Sequence, residues 1–407
     1  MKILHVNYSD SIGGAAIAVN RLHNKLLLKN IDSQMLVIDK NINDWRIQGP
    51  KNKLDNFINH FKVRLARFVK RNFLKTENKE TFSFNLIDTD LLKIINNFKA
   101  DIVHLHWIGN EMISISQIKK INKPIIWTFW DMWPVNGCEH YSSDKRSLNG
   151  YLKDNRNSGE TGIDISKYVW NQKLKYFNFK MNIVCPSNWL LNITKKSQLF
   201  KKSILSYIPL SIDTNFWIKK SKIDSKTIFN LPKDQIILFG SSSGTNERKG
   251  FNFLISAINN LNLKNVTLVI FGEKPKDIQK IKAKYIYVGR VDKKDSLRSL
   301  YSSADVIIMP SKLEVFGQIA LEGASCSIPS VVFEDTGVTD LIKHKKTGYV
   351  AKKNDYRDLQ KGIEWCLHDD EILKKISHNV RREVEDKFND NISIEKYINL
   401  YKSIKNS

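Results

Sequence analysis

Cysteine is scarce in this chain: four residues in 407, Cys138, Cys185, Cys326 and Cys366, far apart and without metal or disulfide spacing. A disulfide-stapled or zinc-ribbon fold is excluded, and a reduced, cytoplasmic protein is expected. No apolar run approaches the ~18 residues that a membrane span needs. The N-terminus passes from Met1-Lys2 directly into the strand-like ILHV, so no signal peptide is expected. Gly-x-Gly-x-x-Gly is absent, as are zinc-finger spacing and an RNP-type aromatic motif. Acidic residues are also in deficit: 42 Asp and Glu against 65 Lys and Arg give a formal net charge of +23. That balance permits nucleic acid, an anionic membrane or acidic small molecules as partners. With no nucleic-acid motif, nucleic acid ranks last.

What is present is globular: 42% apolar and 26% charged residues, in a chain long enough that two domains are the default. The most informative stretch is DVIIMPSKLEVFGQIALE, residues 305–322. Its apolar start reads as a buried parallel strand, stopped by Pro310 and Ser311. Phe316-Gly317 then opens a helix, whose first N–H groups suit a diphosphate. Glu314 precedes that helix and Glu322 lies within it. Carboxylates repel phosphate but accept hydroxyl protons, so the pair reads as one acceptor for a sugar ring and one for a ribose.

Upstream, KILHVNY (2–8) reads as a first strand, followed by a Gly13-Gly14 loop and a helix from about Ala15 to Asn30. The glycines either approach a ligand phosphate or supply a turn at positive φ. QMLVID (34–39), DIVHLHWI (101–108) and PIIWTFWD (124–131) read as further strands. His104 and His106 are expected to face opposite ways, with at most one lining a cleft. Residues 51–75 place Leu54, Phe57, Ile58, Phe61, Leu65 and Phe68 on one stripe. Lys51, Lys53, Lys62, Arg64, Arg67, Lys70, Arg71 and Lys75 fall on the other face, against Asp55. Such a helix either packs a core with a solvated basic face or lies on an anionic membrane. Residues 142–180 are polar and poorly periodic, with SSDKRSLNGYLKDNRNSGETG (142–162) expected to be flexible, and IVCPSNWLL (183–191) closes the first domain, with Ser187 as N-cap. Residues 218–233 read as a polar linker. QIILFG (235–240), VTLVIFGE (266–273) and YIYVGRV (285–291) are strands of the second domain.

The 305–322 stretch, followed by IPSVVFEDTGVTDLI and TGYV, resembles the Glu-x7-Glu motif of the family-4 glycosyltransferases. HLHWI with DMWP resembles that family's capsule, exopolysaccharide and O-antigen branch. The resemblance implies an α/β, GT-B architecture of two Rossmann-like domains facing each other across a deep cleft. The acceptor domain is expected over 1–215, the donor domain over 216–390, and a final helix, 391–407, returns to the first domain. It implies a retaining hexosyltransferase using a UDP- or GDP-sugar, with no cofactor and no essential metal. The acceptor implied is a glycan or polyprenyl-diphosphate-linked glycan, at the inner face of the cytoplasmic membrane. A catalytically inactive sugar-nucleotide or glycan binder is the alternative.

Site residues follow position by position. Glu314 matches the sugar-binding carboxylate and Glu322 the ribose carboxylate. Phe316, Gly317, Gln318 and Ile319 match the diphosphate-binding helix start, and Gly13 and Gly14 the N-terminal Gly-Gly loop. Arg290 and Val291 match the loop whose backbone meets the base. Lys249 matches the phosphate-binding lysine; the partner arginine is replaced by Ser241, and Arg248 is the substitute proposed. In the T-x-H-D pattern Trp130 replaces histidine while Asp131 is retained, leaving His106 or His140 to fill the acceptor side with Trp130.

Overall fold

The structure, a computed structural model, describes residues 1–50, 53–152, 154–241 and 247–406, with side chains at 53–56 and 241 outside the description. The chain divides into two units: Met1–Pro209 with Ile394–Ser407, and Leu210–Ser393. No helix among the described residues is long and apolar enough to cross a membrane.

The first unit alternates strands and helices. In order it contains β1 (Lys2–Ser9), α1 (Gly14–Leu28), β2 (Asp32–Asp39), β3 (Ile47–Gln48), α2 (Lys53–Phe73), β4 (Leu74–Lys75) and α3 (Leu91–Asn97). There follow β5 (Ile102–Leu105), α4 (Ile115–Ile118), β6 (Ile125–Thr128), α5 (Arg146–Asn149) and β7 (Thr161–Gly162). The unit ends with α6 (Ile165–Tyr176), β8 (Asn182–Cys185), α7 (Asn188–Lys196) and β9 (Ile204–Tyr207). Seven strands form one sheet in the order β3-β2-β1-β5-β6-β8-β9, with parallel pairing throughout. Near-continuous apolar strands such as Ile102–Leu105 are buried on both faces, as a parallel sheet covered by helices requires. Ser187 caps α7 by accepting from the Leu190 amide.

The second unit contains α8 (Lys222–Ile228), β10 (Gln235–Ser241), α9 (Phe251–Asn259), β11 (Val266–Gly272), β12 (Tyr285–Gly289), α10 (Lys294–Ser303) and β13 (Val306–Met309). It continues with α11 (Gln318–Ser325), β14 (Ser330–Phe333), β15 (Gly348–Ala351), α12 (Tyr356–Leu367) and α13 (Asp370–Lys387). Its six-stranded parallel sheet runs β12-β11-β10-β13-β14-β15. The last helix, α14 (Asp390–Lys405), sends Ile394, Tyr397 and Tyr401 into a core shared with Ile3, Ile102, Ile126 and Val184 of the first unit's sheet. In the second sheet the order reverses at β10: β11 and β12 follow it on one side, and the chain then crosses to β13 on the other. The connections leaving the carboxyl ends of β10 and β13 run to opposite faces there, which opens a crevice for a ligand.

Several sequence expectations change. The strand expected over 101–108 stops at Leu105, and β9 adds a strand after the one expected to close the first domain. The 218–233 linker contains α8. The described part of the polar 142–162 stretch is folded around Arg146, whose side chain is 1% exposed and pairs with Asp144, Glu160 and Asp164. Three carboxylates on one buried guanidinium satisfy charges that composition alone assigns to solvent.

Candidate functional site

In the second unit, β13 ends at Met309 and the chain turns through Pro310–Gly317 into α11. Gly317 caps α11 at φ +97, and a Cβ there would sit 2.5 Å from Met309 Cε. Gly250 caps α9 at φ +71, where a Cβ would fall 1.8 Å from the Pro310 carbonyl oxygen. Only glycine permits that approach, and it brings Arg248 and Lys249 against the turn that carries Glu314. Lys249 Nζ lies 2.6 Å from Glu314 Oε2 and Arg248 Nη1 3.5 Å from the same oxygen. Arg248 also donates to the Leu313 carbonyl at 2.7 Å, and the Lys312 amide donates back to the Arg248 carbonyl at 2.8 Å. Burial pushes the Glu314 carboxyl up, but Lys249 and Arg248 prevail and hold it below the ordinary value. A buried carboxylate is thus kept ionised beside two cations, just ahead of the first amides of α11.

Glu322 lies further along α11, 5% exposed, accepting from Tyr301 Oη at 2.9 Å and from Gln318 Nε2 at 2.9 Å. Burial, and then the Glu322 charge, raise the Tyr301 hydroxyl well above its ordinary pKa, so Tyr301 remains a donor. Phe316 points into the core against Phe388, leaving only its backbone toward the turn. Ile319 is partly buried against that core. Arg290 and Val291 follow β12, with Arg290 exposed and paired to Asp292 at 2.8 Å, and Val291 packed on the core. The side chain of Ser241 lies outside the described residues. Tyr301, which holds Glu322, is not legible from sequence; nothing in a short helix before β13 marks it.

In the first unit the strand ends of β5 and β6 are cross-linked. Trp130 Nε1 donates to His106 Nδ1 at 3.2 Å, and Trp107 Nε1 donates to Asp131 Oδ2 at 2.5 Å. Asp131 also accepts from His140 Nδ1 at 2.5 Å and from the Trp133 amide at 2.9 Å. The other nitrogen of His140, Nε2, meets Ser83 Oγ at 2.6 Å. His106 and His140, expected on the acceptor side, are 2% and 3% exposed with both ring nitrogens engaged. Both rings are buried with their nitrogens occupied, and half-buried Trp130 is the more accessible member of the group. Gly13 adopts φ +94 at the cap of α1, with no atom within 4 Å of where a Cβ would stand, and Gly14 begins the helix. Both the turn conformation and an open approach are therefore present.

His104 and His106 do not face apart: their ring centroids are 3.9 Å from each other. Residues two apart on an extended chain share a face, and His5, paired with His104 across the parallel ladder, joins them. These three are the only group of three or more metal-type ligands among the described residues. Their hydrogen bonds argue against a metal cage. An indole N–H can only donate, so His106 Nδ1 carries a lone pair and its proton sits on Nε2, which donates to His5 Nδ1 at 2.9 Å. A metal ligand instead donates its second N–H outward. Burial holds the rings neutral: His5 and His106 lie well below the ordinary pKa, and His104 is pulled down to about 3.

Lys173 anchors the 131–140 loop from below. Fully buried, its ammonium donates to the carbonyls of Trp133, Asn136 (3.0 Å) and Gly137 (2.6 Å) and sits 3.8 Å over the Trp133 ring. Burial pulls its pKa down to about 7, against the raising influence of Cys138, Glu139 and Asp131.

Comparison with known proteins bears on this arrangement. The family profile "Glycosyl transferases group 1" matches residues 221–383. The capsular polysaccharide biosynthesis glycosyltransferase CapM of Staphylococcus aureus is 29% identical over 103 residues, 25% of this chain and 27% of CapM. The first curated relatives matched are spanned over only 27% to 60% of their own length. Sucrose-phosphate synthase from Thermosynechococcus elongatus superposes with a TM-score of 0.70 at 15% identity, covering 99% of each chain. Anabaena Alr3699/HepE in complex with UDP and glucose gives 0.69 at 14% identity, covering 99% of this chain and 100% of that one. Residues 221–383 thus match the glycosyl transferases group 1 profile, in a chain that has the GT-B fold.

Proposed function

We propose that this chain is a retaining hexosyltransferase that moves a sugar from a UDP- or GDP-sugar to a glycan acceptor. The observation that carries the reading is the Lys249–Glu314 pair set against the start of α11. The amides at Gly317 and Gln318 take the diphosphate, and Lys249 with Arg248 neutralises it as the glycosidic bond breaks. These cations supply the charge that a divalent metal provides in other transferases. Glu314 accepts sugar hydroxyls and positions the anomeric carbon, Glu322 accepts the ribose, and the backbone at Arg290 and Val291 meets the base. The departing phosphate takes the acceptor proton on the same face, so no protein base is needed. Asp131, held by three donors, fixes the loop on which Trp130 receives the acceptor.

The pathway proposed is assembly of a bacterial surface polysaccharide on a polyprenyl-diphosphate carrier, at the inner face of the cytoplasmic membrane. The similarity to CapM supports it, and so does α2. The apolar stripe of that helix does not pack a core: Phe57, Phe61, Leu65 and Phe68 are 63%, 55%, 40% and 50% exposed. An exposed aromatic stripe beside Lys62, Arg64, Arg67 and Arg71 suits the headgroup layer of an anionic bilayer. The helix ends at Phe73, so Lys75 falls outside it, and Lys51 and the side chains of Lys53, Leu54 and Asp55 lie outside the described residues.

One observation favours a second reading, an inactive sugar-nucleotide binder: the family's histidine is Trp130, whose N–H is spent on His106. Donor hydrolysis separates the two. The purified protein should cleave one of a panel of UDP-, GDP- and ADP-sugars, and Glu314→Ala and Lys249→Ala should not. Binding of one donor without cleavage, even with a glycan acceptor supplied, supports the inactive binder. No binding at all overturns the assignment of residues 305–322.

A further inference from the structure

A groove of about 1510 Å³ runs through the first unit, and neither Trp130 nor Asp131 lines it. It begins at the carboxyl end of β2, passes under the 40–50 loop, and is walled by α2 and α3. Its volume exceeds the ~300–1,000 Å³ of a compact small-molecule pocket, which suits an elongated ligand. The floor is apolar, with Leu36, Val37, Leu91 and Ile94 among its residues. Three ammonium groups stand along it, Lys40, Lys62 and Lys93, together with two carboxylates, Asp39 and Asp90. Lys40 donates to the Asp44 carbonyl at 3.1 Å, which leaves Lys62 and Lys93 as the cations closest to the α2 and α3 walls.

The wall formed by α2 is unusual. Among its described side chains only Val63 is buried, so the helix is held to the unit lightly. Ile58 and Lys62 line the groove while Phe57, Phe61 and Leu65, on the adjoining face, lie open to solvent. The groove therefore sets the cations of its α2 and α3 walls, Lys62 and Lys93, beside an exposed aromatic stripe on the adjoining face of α2. A ligand that matches both must carry a strongly anionic group and an extended apolar chain. A free nucleotide lacks the chain, and a neutral lipid lacks the charge. Lys62 is partly withdrawn from water, which lowers its pKa against the influence of Asp90 and Glu111 and raises the gain from a matching anion.

We infer that this groove is the seat of an isoprenoid diphosphate, the lipid-linked end of the acceptor, with Lys62 and Lys93 on the diphosphate and the chain leaving along Phe57 and Phe61. The inference rests on the lipid-linked acceptor proposed above and names its binding site. Asp39 and Asp90 are placed to accept hydroxyls of the first sugar beyond the diphosphate.

The test uses the full chain and farnesyl diphosphate as a soluble probe, followed by calorimetry. Inorganic pyrophosphate serves as the head-group arm, farnesol as the chain arm, and a UDP-sugar as competitor. Farnesyl diphosphate should bind more tightly than either arm and should not be displaced by the UDP-sugar. Lys62→Glu with Lys93→Glu should weaken it about tenfold or more, two partly screened charge contacts being reversed. Phe57→Ser with Phe61→Ser should weaken farnesyl diphosphate and leave pyrophosphate unchanged. Wild-type affinity in the lysine double variant overturns the inference, as does complete displacement by the UDP-sugar or affinity equal to that of pyrophosphate. Donor hydrolysis is read on the same preparations. If it persists while farnesyl diphosphate fails to bind, the groove assignment falls and the donor site stands.

Discussion

Trp130 and His106 are joined by one hydrogen bond, indole Nε1–H to imidazole Nδ1 at 3.2 Å, and their neighbours Trp107 and Asp131 repeat the link at 2.5 Å. The two bonds differ in worth because one acceptor is neutral and the other a buried carboxylate. Trp130→Phe should cost about 1 kcal/mol, and Trp107→Phe about 2 kcal/mol or more, in urea unfolding. Equal costs would show that Asp131 finds a replacement donor.

Acid should destabilise the first unit through its buried imidazoles. His23, hydrogen-bonded to Ser33 and buried, titrates at about 4 in the folded chain against 6.5 when unfolded, burial being the main cause, opposed by Asp44 and assisted by Arg46. Above pH 6.5 both states are neutral and nothing changes. As pH falls from 6.5 toward 4 the unfolded chain gains a proton that the folded one refuses, and stability drops by about 3 kcal/mol from His23 alone. His23→Gln should flatten the decline in unfolding midpoint between about pH 6.5 and 4.5; an unchanged slope would count against this origin.

Lys173→Met removes three N–H donors from three loop carbonyls and should cost about 3 kcal/mol, with much of the loss localised to 131–140 in hydrogen exchange. Lys173→Arg is no rescue, since a planar fork does not fit a three-carbonyl nest. A variant that unfolds like the wild type would mean that water takes over the ammonium's contacts.

Charge reversal on α2, Arg64→Glu with Arg67→Glu, should weaken flotation with phosphatidylglycerol vesicles by about tenfold and leave UDP-sugar binding intact. Both arginines are exposed, so folding should be unaffected. Vesicle binding equal to wild type would sink the membrane role of the helix.

The sequence is most legible where local chemistry and topology coincide. At 305–322 a short apolar run, Pro310 and Gly317 mark a strand, a stop and a helix start from their own steric properties, and the structure has β13, a turn and α11 there. The Lys249–Gly250 step is equally open to reading, because a helix that starts on glycine needs a reason, here the Pro310 carbonyl. Long-range pairing is hidden. Nothing near Arg146 announces Glu160 and Asp164 as partners, so charge alone suggests a solvated loop. Periodicity on α2 identifies the stripe but not its exposure, since a stripe facing a core and one facing outward have the same spacing. His104 and His106 share a face, against the expectation from sequence, because a two-residue step along a strand returns to the same side.

On the proposed reading, the contact between Lys249 and Glu314 makes donor capture an exchange of partners. Both groups are largely buried, so separating them without replacement weakens the compensation of two charges in a poor solvent, Glu314 retaining Arg248 at 3.5 Å. A phosphate satisfies only the lysine, and a free sugar satisfies only the carboxylate. A nucleotide sugar brings an anion and hydroxyls on one molecule and releases both halves together. On the proposed reading the resting site is thus a two-key lock, closed to the nucleotide and to the sugar when each arrives alone.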